Sequence, residues 1–392
     1  MARSRTIIIA GAGIGGLTAA LTLARAGYRA LVLEQAERLE EAGAGIQLSP
    51  NATRVLGGLG LAERLRPHVV APEAIRIRAA SGHDIARIPL GKPAEQRYGA
   101  PYWVIHRADL QAALAAAIEQ SVDITLRLGT RAEDFAIHQH GVTVEARTAQ
   151  GLRDEQGIAL IGADGVWSAL RARMGDRRPP RYAQRTAWRA TIQAARVTEQ
   201  FRAPLTCLWL GRDAHLVHYP VKAGTMVNIV AIVRDDWNEP GWSAPGRHGE
   251  LAPRFASFAP EARALIALPE CWQKWALCDR APSLPRREGP VTLLGDAAHP
   301  MLPFLAQGGA MAIEDAAVLA QCLERDEDAA KALRAYESQR QRRVARTQRE
   351  AHANSWRYHL AGPLGMARNA VLGMMGGENL LRRYDWLYDW KP

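Results

Sequence analysis

The N-terminal region alternates between short apolar runs and one glycine-rich turn. Residues 6–10 form a β-rich apolar run, residues 17–26 are rich in Ala and Leu, and residues 30–33 form a second apolar run. A glycine-rich segment at 11–16 separates the first run from the Ala- and Leu-rich segment. Apolar runs of this length predict strands, and the segment between them predicts a helix. The pattern therefore predicts a β-α-β unit.

The remaining chain shows blocks of helical and strand-like periodicity. Residues 75–101 are strand-like but irregular, with Pro89, Gly91 and Pro93 as interruptions. Alternation between 186 and 234 predicts an antiparallel sheet. Helices are predicted at residues 50–59, 108–119, 251–268, 310–323 and 329–350. Strands are predicted at residues 124–128, 142–146, 158–161, 188–192, 208–210, 215–219, 227–233 and 291–294.

Composition and charge narrow the class of protein. The 392 residues include 50 Lys and Arg against 40 Asp and Glu, a formal net charge of +10, with 48% hydrophobic and 23% charged residues. These proportions are typical of a globular protein, and the length suggests one large two-part domain or two domains. The basic residues are scattered apart from clusters at 171–181 and 334–349. Such a charge favours small anionic ligands, and we expect no nucleic-acid partner.

The sequence also bears on compartment and partners. No apolar run approaches the roughly 18 residues that a membrane span needs. The apolar run after the N-terminus is broken by glycines, which are unsuited to a signal peptide. The four cysteines have no metal-ligand spacing, which predicts reduced thiols. We expect a cytoplasmic monomer or homodimer with no metal and no membrane partner.

The turn at 11–16 is the strongest single motif. It reads Gly11-Ala12-Gly13-Ile14-Gly15-Gly16. The first glycine permits a tight turn, the second lets the backbone approach a pyrophosphate, and a third allows close helix–strand packing. The glycine pattern alone is a weak indicator of dinucleotide binding. Here a predicted strand precedes it, a predicted helix follows it, and Glu34 lies about 20 residues downstream. Glu34 can accept hydrogen bonds from a ribose diol, which predicts FAD or NAD at this turn and argues against NADP.

Two further segments follow predicted buried strands. They read Gly162-Ala163-Asp164-Gly165 and Gly295-Asp296-Ala297-Ala298-His299-Pro300. Asp residues at strand ends, next to glycine, suit polyol or ribose hydroxyls that lie close to the backbone. Downstream, Gly308 and Gly309 open a predicted helix. Their amides and the positive helix end would suit an anionic reduced flavin ring.

Together, these three segments resemble the FAD-dependent aromatic hydroxylases, the single-component flavoprotein monooxygenases. The resemblance implies that Asp296 contacts the FAD ribityl chain and that Asp164 lies where flavin and NAD(P)H binding meet. Arg107, at a helix start, is similar to the family's FAD-contacting Arg; an ordinary surface Arg is the alternative. The predicted cofactor-binding residues are Gly11, Ala12, Gly13, Gly15, Gly16, Glu34, Gln35, Arg107, Asp164, Asp296, Gly308 and Gly309.

The resemblance also implies an α/β fold of defined organisation. A Rossmann-like FAD-binding domain of the glutathione-reductase type would occupy residues 1–70, 100–181 and 276–325. A mainly antiparallel β-sheet substrate domain would interrupt it at 71–99 and 182–275. A C-terminal helical region would span 326–392. We find no second glycine-rich turn of this type, so no separate NAD(P)H domain is expected.

Within the family, the chain is most similar to the salicylate, 3-hydroxybenzoate and 6-hydroxynicotinate hydroxylases. The likeness to the hydroxynicotinate enzymes is carried by residues 42–46, 87–91, 98–100, 299–301 and 306–308. Gln47 and Phe304 depart from it, since both stand where those enzymes have a histidine. Gln47 cannot act as a base, and Phe304 makes the wall of the substrate pocket apolar at its position. We therefore expect the substrate to be a carboxylated or phenolic ring other than hydroxynicotinate.

His215 and Tyr219 are the predicted catalytic residues. Residues four apart in a strand face the same side of the sheet, so both side chains could line one pocket. A base near a substrate hydroxyl would be useful because a phenolate ring is attacked faster. The resemblance places a His–Tyr pair at these positions; the alternative is that they only cover the sheet. The predicted substrate-binding residues are Gln47, His215, Tyr219, Pro303 and Phe304.

The function that the resemblance implies is FAD-dependent hydroxylation of a small aromatic substrate. FAD would be the cofactor, NADH or NADPH the co-substrate, and O2 the oxidant, through a flavin C4a-hydroperoxide in a pocket that excludes water. One alternative is a related flavin monooxygenase acting by urate-type hydroxylation or alkene epoxidation. Another is a non-catalytic flavin-binding protein. Substrate-stimulated NAD(P)H oxidation with product formation distinguishes the three.

Overall fold

The computed structural model describes residues 5–39, 44–237, 239, 241–281 and 289–392. Its strands are β1 Thr6–Ala10, β2 Arg29–Leu33, β3 Gly45–Leu48, β4 Ala74–Ala79, β5 Asp84–Pro89, β6 Trp103–His106, β7 Ile124–Arg127, β8 Arg131–His138, β9 Gly141–Thr148, β10 Gly151–Gly157, β11 Ala159–Gly162, β12 Arg181–Gln193, β13 Leu205–Leu210, β14 Ala214–Val221, β15 Met226–Arg234, β16 Ser243–Gly246, β17 Trp272–Asp279 and β18 Val291–Leu293. Its helices are α1 Ile14–Arg25, α2 Pro50–Gly58, α3 Ala62–Leu65, α4 Gly91–Tyr98, α5 Arg107–Glu119, α6 Ala169–Arg173, α7 Glu199–Arg202, α8 His248–Leu251, α9 Pro260–Ala267, α10 Gly308–Arg325, α11 Ala329–Tyr358, α12 Gly362–Met375, α13 Gly377–Arg382 and α14 Asp385–Tyr388.

A five-stranded parallel sheet forms the centre of one of the two parts of the fold. Its strands lie in the order β18-β11-β1-β2-β7, and all neighbouring pairs are parallel. Ile7 and Ile9 pack into the same buried cluster as Leu17 of α1 and Ile313 of α10. Ile8 joins the cluster on the other face, which the three-stranded sheet β10-β9-β8 covers. Because successive strand side chains face opposite sides, one apolar run supplies both layers.

An eight-stranded sheet forms the other part of the fold. Its order is β16-β17-β12-β15-β14-β13-β4-β5, and it is antiparallel except where β13 pairs with β4. Trp209 and Leu216 pack on one face with Phe255 and with Leu265 of α9. On β14, His215 and Tyr219 belong to the opposite face, because they alternate with Leu216 and His218.

The C-terminal helices complete the mixed α/β fold. Leu380 and Leu381 of α13 and Leu387 of α14 pack in one buried cluster with Tyr98 and with Ile88 of β5. The described residues include no helix that is both long enough and apolar enough to cross a membrane.

Several elements differ from the sequence-based expectations. The irregular segment at 75–101 contains helix α4, because Pro93 falls in its first turn, where a missing N–H removes no helical hydrogen bond. The single helix predicted at 251–268 is wrong: Pro253 lies in a 3-10 turn and Pro260 opens α9. Strands β8 and β10 were not predicted because their sequences are charge-rich; both pair with β9.

Strand β17 corrects one predicted boundary. It pairs with β12 and with β16 in the eight-stranded sheet. The predicted end of the substrate domain at residue 275 falls inside this strand and is therefore wrong. The strand escaped prediction because Gln273, Lys274 and Asp279 interrupt its apolar pattern. The predicted segments also include residues 1–4, 40–43, 238, 240 and 282–288, which lie outside the described residues.

Candidate functional site

A cleft of about 790 Å³ lies between the carboxyl ends of the parallel strands and the eight-stranded sheet. Ligands of open α/β sheets bind at this edge of the strands. Predicted site residues that line it are Gly11, Gly13, Glu34, Gln35, Arg107, Asp164, Asp296 and Pro303. The other predicted residues lie next to the cleft or behind its wall.

The glycines of the first turn have different tasks. Gly11 has φ +108°, and a Cβ there would lie 2.4 Å from the Ala163 carbonyl oxygen. A Cβ on Gly16 would lie 1.9 Å from the Gly11 carbonyl oxygen, so this residue allows α1 to pack on the turn. A Cβ on Gly15 would lie 2.7 Å from Leu294. Gly13 differs: nothing lies within 4 Å of the added atom, which leaves its backbone accessible from the cleft.

Glu34 is held at the end of β2 by backbone amides. Its Oε2 accepts from the Ala12 N–H at 2.7 Å, and its Oε1 accepts from the Ala36 N–H at 2.9 Å. Ala12 itself is buried and does not line the cleft. The carboxylate therefore has a defined position from which it can accept further hydrogen bonds from hydroxyl groups.

Asp164 and Asp296 place two carboxylates in the cleft. Asp164 Oδ2 accepts from the Leu170 N–H at 3.1 Å, while its buried Oδ1 has no partner among the described residues. The Asp296 side chain faces the open cleft although it lies deep within the fold. Burial raises the pKa of both carboxyls, and Ser168 at Asp164 and His299 at Asp296 act in the opposite direction.

A buried charge network holds the loop that carries Asp296. Asp315 accepts from the Gly295 N–H at 3.0 Å, from His299 Nε2 at 2.5 Å and from Arg340 Nε at 2.6 Å. Burial alone would raise the pKa of Asp315, but His299 and Arg340 hold it well below its usual range. The network fixes both ends of the short turn around Asp296.

Gly308 and Gly309 begin α10 but do not line the cleft. A Cβ on Gly308 would lie 3.9 Å from Asp296 Oδ1, and one on Gly309 would lie 2.6 Å from Ile46. Gln307, before them, donates to Ser49 Oγ at 2.8 Å. The helix start is thus held beside Asp296 and next to the cleft.

His215, Tyr219 and Phe304 are buried, Gln47 is half-buried, and Phe304 follows Pro303 of the cleft lining in the chain. The His215 and Phe304 ring centroids are 5.4 Å apart, and Gln47 Oε1 accepts from the Tyr102 hydroxyl at 2.6 Å. Burial raises the pKa of Tyr219, against the opposing effects of Arg189, Arg107 and the Gln47 hydrogen bond. The pKa of His215 is lowered by burial, then by His359 and Arg185. Both side chains are therefore neutral near pH 7.

Sequence reasoning missed the contribution of β12 and β17 to the cleft. Arg189 lines it, with its guanidinium carbon 5.2 Å from the Trp275 ring centroid, and both residues lie on these strands. Trp167 and Trp242 line it too and are about half exposed. An arginine in the middle of the apolar strand predicted at 188–192 was the available signal for Arg189.

Comparison with known proteins decides the family. The family model described as FAD binding domain matches residues 4–351. The chain belongs to this family. It is 39% identical over 384 residues to 3-hydroxybenzoate 6-hydroxylase 1 of Aquipseudomonas alcaligenes, covering 97% of each chain. It is 40% identical over 387 residues to a 3-amino-4-hydroxybenzoate 2-monooxygenase of Streptomyces platensis, covering 97% of this chain and 95% of the relative.

A solved structure of the same fold contains the cofactor. HpxO of Klebsiella pneumoniae, complexed with FAD and uric acid, superposes with a TM-score of 0.84 at 28% identity and covers 96% of this chain and 95% of its own. The expected resemblance to FAD-dependent aromatic hydroxylases is confirmed. The protein is an FAD-dependent aromatic-ring monooxygenase, an oxidoreductase with NADH or NADPH as co-substrate.

The cleft fits FAD on its own geometry. Gly13 leaves room for a pyrophosphate beside the N-terminus of α1, and Glu34 lies at the end of the next strand. The Asp164 oxygen without a partner and the Asp296 carboxyl provide hydrogen-bond acceptors farther along the cleft. These groups are of the types that the phosphates and hydroxyls of a dinucleotide need.

Proposed function

We propose that this protein hydroxylates a small aromatic ring that carries a hydroxyl group and a carboxylate, using NAD(P)H and O2. The observation that carries the proposal is the neutral pair His215 and Tyr219 on one sheet face, with Arg107 and Arg189 in the adjoining cleft. A neutral imidazole and a phenol suit a substrate hydroxyl, and guanidinium groups suit a carboxylate. Relatives named for hydroxybenzoate substrates support this ring class.

In this proposal His215 accepts the proton of the substrate hydroxyl, and Tyr219, about 13 Å farther along β14, hydrogen-bonds a second polar group of the substrate. Tyr219 keeps its own proton because burial raises its pKa, so its role is that of a hydrogen-bonding group. Gln47 is oriented by Tyr102, which leaves its amide nitrogen available to donate to the Tyr219 oxygen. The resulting phenolate character makes the ring a better nucleophile.

FAD, reduced by NAD(P)H, supplies the activated oxygen when bound. The chain holds the dinucleotide through the Gly13 turn, Glu34, Asp164 and Asp296, and excludes water with Pro303 and Phe304. Excluding water limits wasteful use of the reductant. Arg107 lies within electrostatic range of both Asp296 and Tyr219, so it is placed to bind groups between the cofactor and the substrate.

A second candidate is hydroxylation of a purine-type ring. It is favoured by the 0.84 TM-score to HpxO complexed with uric acid. Urate has no carboxylate, so the two candidates differ in what the arginines of the cleft would bind.

The test uses the FAD-loaded protein and a matched panel of rings. 3-Hydroxybenzoate, 3-amino-4-hydroxybenzoate, salicylate and urate are tested for faster NADH or NADPH oxidation, with product analysis. Benzoate and 3-hydroxybenzyl alcohol are the controls, because each lacks one of the two recognised groups. We expect product only from rings that carry both groups. Product from urate alone would establish the second candidate, and no stimulation by any ring would contradict both.

A further inference from the structure

His359 lies at the C-terminal end of α11, a region with no predicted site residue. Its Nδ1 is 2.5 Å from the Ser355 carbonyl oxygen, and its backbone N–H donates to the Trp356 carbonyl at 3.2 Å. The last carbonyls of a helix have no partner within the helix, and a histidine side chain commonly donates to them. The ring of His359 is therefore held in place by its own helix.

The other nitrogen of this ring contacts the proposed proton acceptor. His359 Nε2 is 2.9 Å from His215 Nδ1, and the ring centroids are 5.0 Å apart. The two residues are separated by 144 positions in the chain, and Phe304 packs against both rings. The end of α11 therefore contacts the face of β14 that carries His215.

The hydrogen-bond chain determines which nitrogens carry protons. A carbonyl oxygen can only accept, so His359 Nδ1 must donate to Ser355. A neutral ring has one N–H, so His359 Nε2 is an acceptor. His215 Nδ1 must then be the donor in the 2.9 Å contact. His215 Nε2 is left without a proton.

We propose that His359 is a positioning residue that holds His215 as the Nδ1–H tautomer, with Nε2 as the acceptor for the substrate hydroxyl proton. This inference rests on the role proposed above for His215. In the proton transfer, the substrate O–H bond breaks and a bond from His215 Nε2 to hydrogen forms. The His215 Nδ1–H remains hydrogen-bonded to His359 Nε2, and this hydrogen bond stabilises the imidazolium of His215.

The surroundings keep both rings neutral before substrate binds. Burial lowers the pKa of His359 to about 4, and Arg185 acts in the same direction; the Ser355 carbonyl and Asp213 oppose it and Arg368 adds to it. Burial also lowers the pKa of His215, helped by His359 and Arg185. The Tyr358 ring also packs on His215, with centroids 5.4 Å apart, and burial raises the pKa of Tyr358.

Three substitutions separate positioning from helix capping. His359→Gln places an amide at the distance of Nε2 and can still accept from His215. His359→Asn places an amide at the distance of Nδ1, so it can reach the Ser355 carbonyl but not His215. His359→Phe keeps the ring shape without either hydrogen bond. His83→Phe changes an exposed histidine and is the control.

The first readout is the rate of hydroxylation by the FAD-loaded protein and the pH profile of that rate, with the ring that gives product in the panel above. The second readout is the ¹⁵N chemical shifts of selectively labelled histidines. We expect His359→Asn and His359→Phe to slow hydroxylation by roughly 10²-fold with FAD content unchanged, the scale of one acid–base group. Their His215 signals should show a changed tautomer or a mixture. His359→Gln should keep both the wild-type signal and, within a few-fold, the rate.

Two outcomes overturn the inference. One is wild-type hydroxylation and an unchanged His215 tautomer in His359→Asn or His359→Phe, and the other is a His359→Gln variant as slow as His359→Asn. His215→Phe tests the parent proposal separately. If His215→Phe hydroxylates normally, the role of His215 fails; if it is slow while His359→Asn is not, only the role of His359 fails.

Discussion

At the scale of single residues, Gly13 separates folding from cofactor binding. An added Cβ there meets no protein atom within 4 Å, and Gly13 lines the cleft. We expect Gly13→Val to fold normally and to lose FAD, because the side chain occupies the path of the pyrophosphate. The measurements are flavin released on denaturation and the thermal midpoint. Gly57→Val, at an exposed helix position with equal space, is the control; full flavin retention in Gly13→Val would remove the turn from the site.

Tyr219 tests the chemical step at the same scale. Its buried side chain hydrogen-bonds Gln47 and does not line the cleft that contains the predicted cofactor-binding residues. Tyr219→Phe should therefore bind FAD and be reduced by NAD(P)H as before. Hydroxylation should slow by roughly 10²–10⁴-fold, and more NAD(P)H should be consumed per product.

The control for this variant is Tyr182→Phe, which removes a hydroxyl that donates to the Asp235 carbonyl; Tyr182 does not line the cleft. Lost flavin binding with normal coupling in Tyr219→Phe would make Tyr219 a structural residue. A wild-type rate would leave His215 as the only candidate among the two.

At the scale of elements, α10 and α11 are joined through buried charges. Arg340 on α11 donates to Asp315 at 2.6 Å and to Glu314 at 2.7 Å, and all three side chains are at most 5% exposed. Arg343 adds a second ion pair to Glu314 at 2.6 Å. The pair of helices thereby supports the loop that presents Asp296.

Removing Arg340 should cost far more than removing a surface arginine. We expect Arg340→Met to lower the free energy of unfolding by about 3–5 kcal/mol, because it removes the guanidinium that two buried carboxylates share. Urea unfolding measures this, with the exposed Arg349→Met on the same helix as the control. A loss below about 1 kcal/mol, equal to the control, would mean that water or neighbouring groups compensate the charges.

At the scale of the whole molecule, buried neutral histidines make stability depend on pH. Burial lowers the pKa of His218 to about 3 and that of His359 to about 4. In the unfolded chain both titrate near 6.5. Because the folded pKa is the lower one, protons bind the unfolded chain first, so stability is complete above pH 6.5 and falls as pH drops towards 4.

The variant that tests this pH dependence is His218→Phe. Neither His218 ring nitrogen has a partner among the described residues, and the ring packs on Phe201, so a phenyl ring should fit. We expect the loss of unfolding free energy between pH 6.5 and 4 to be smaller by up to about 1.4 kcal/mol per pH unit. The exposed His138→Phe should follow the wild type. Equal slopes in all three proteins would contradict the expectation.

The residues predicted to bind the cofactor could be located from the amino-acid sequence, and most of them line one cleft. The turn from Gly11 to Gly16, Glu34, Asp164 and Asp296 could be placed because each depends on local backbone geometry at a strand end. The same-face relation of His215 and Tyr219 was also readable, since strand side chains alternate with a period of two. Their proposed roles, in contrast, are not a consequence of that periodicity.

The neighbours of those residues could not be predicted from the sequence, because they depend on how distant elements pack. Strand β10 forms because its backbone pairs with β9, although the charged sequence of β10 does not favour a strand. Arg189 contacts Trp275 because β12 pairs with β17, and His215 contacts His359, 144 residues away, because the end of α11 packs on the sheet. Periodicity reports which side of an element is buried and carries no information about which distant side chain it will meet.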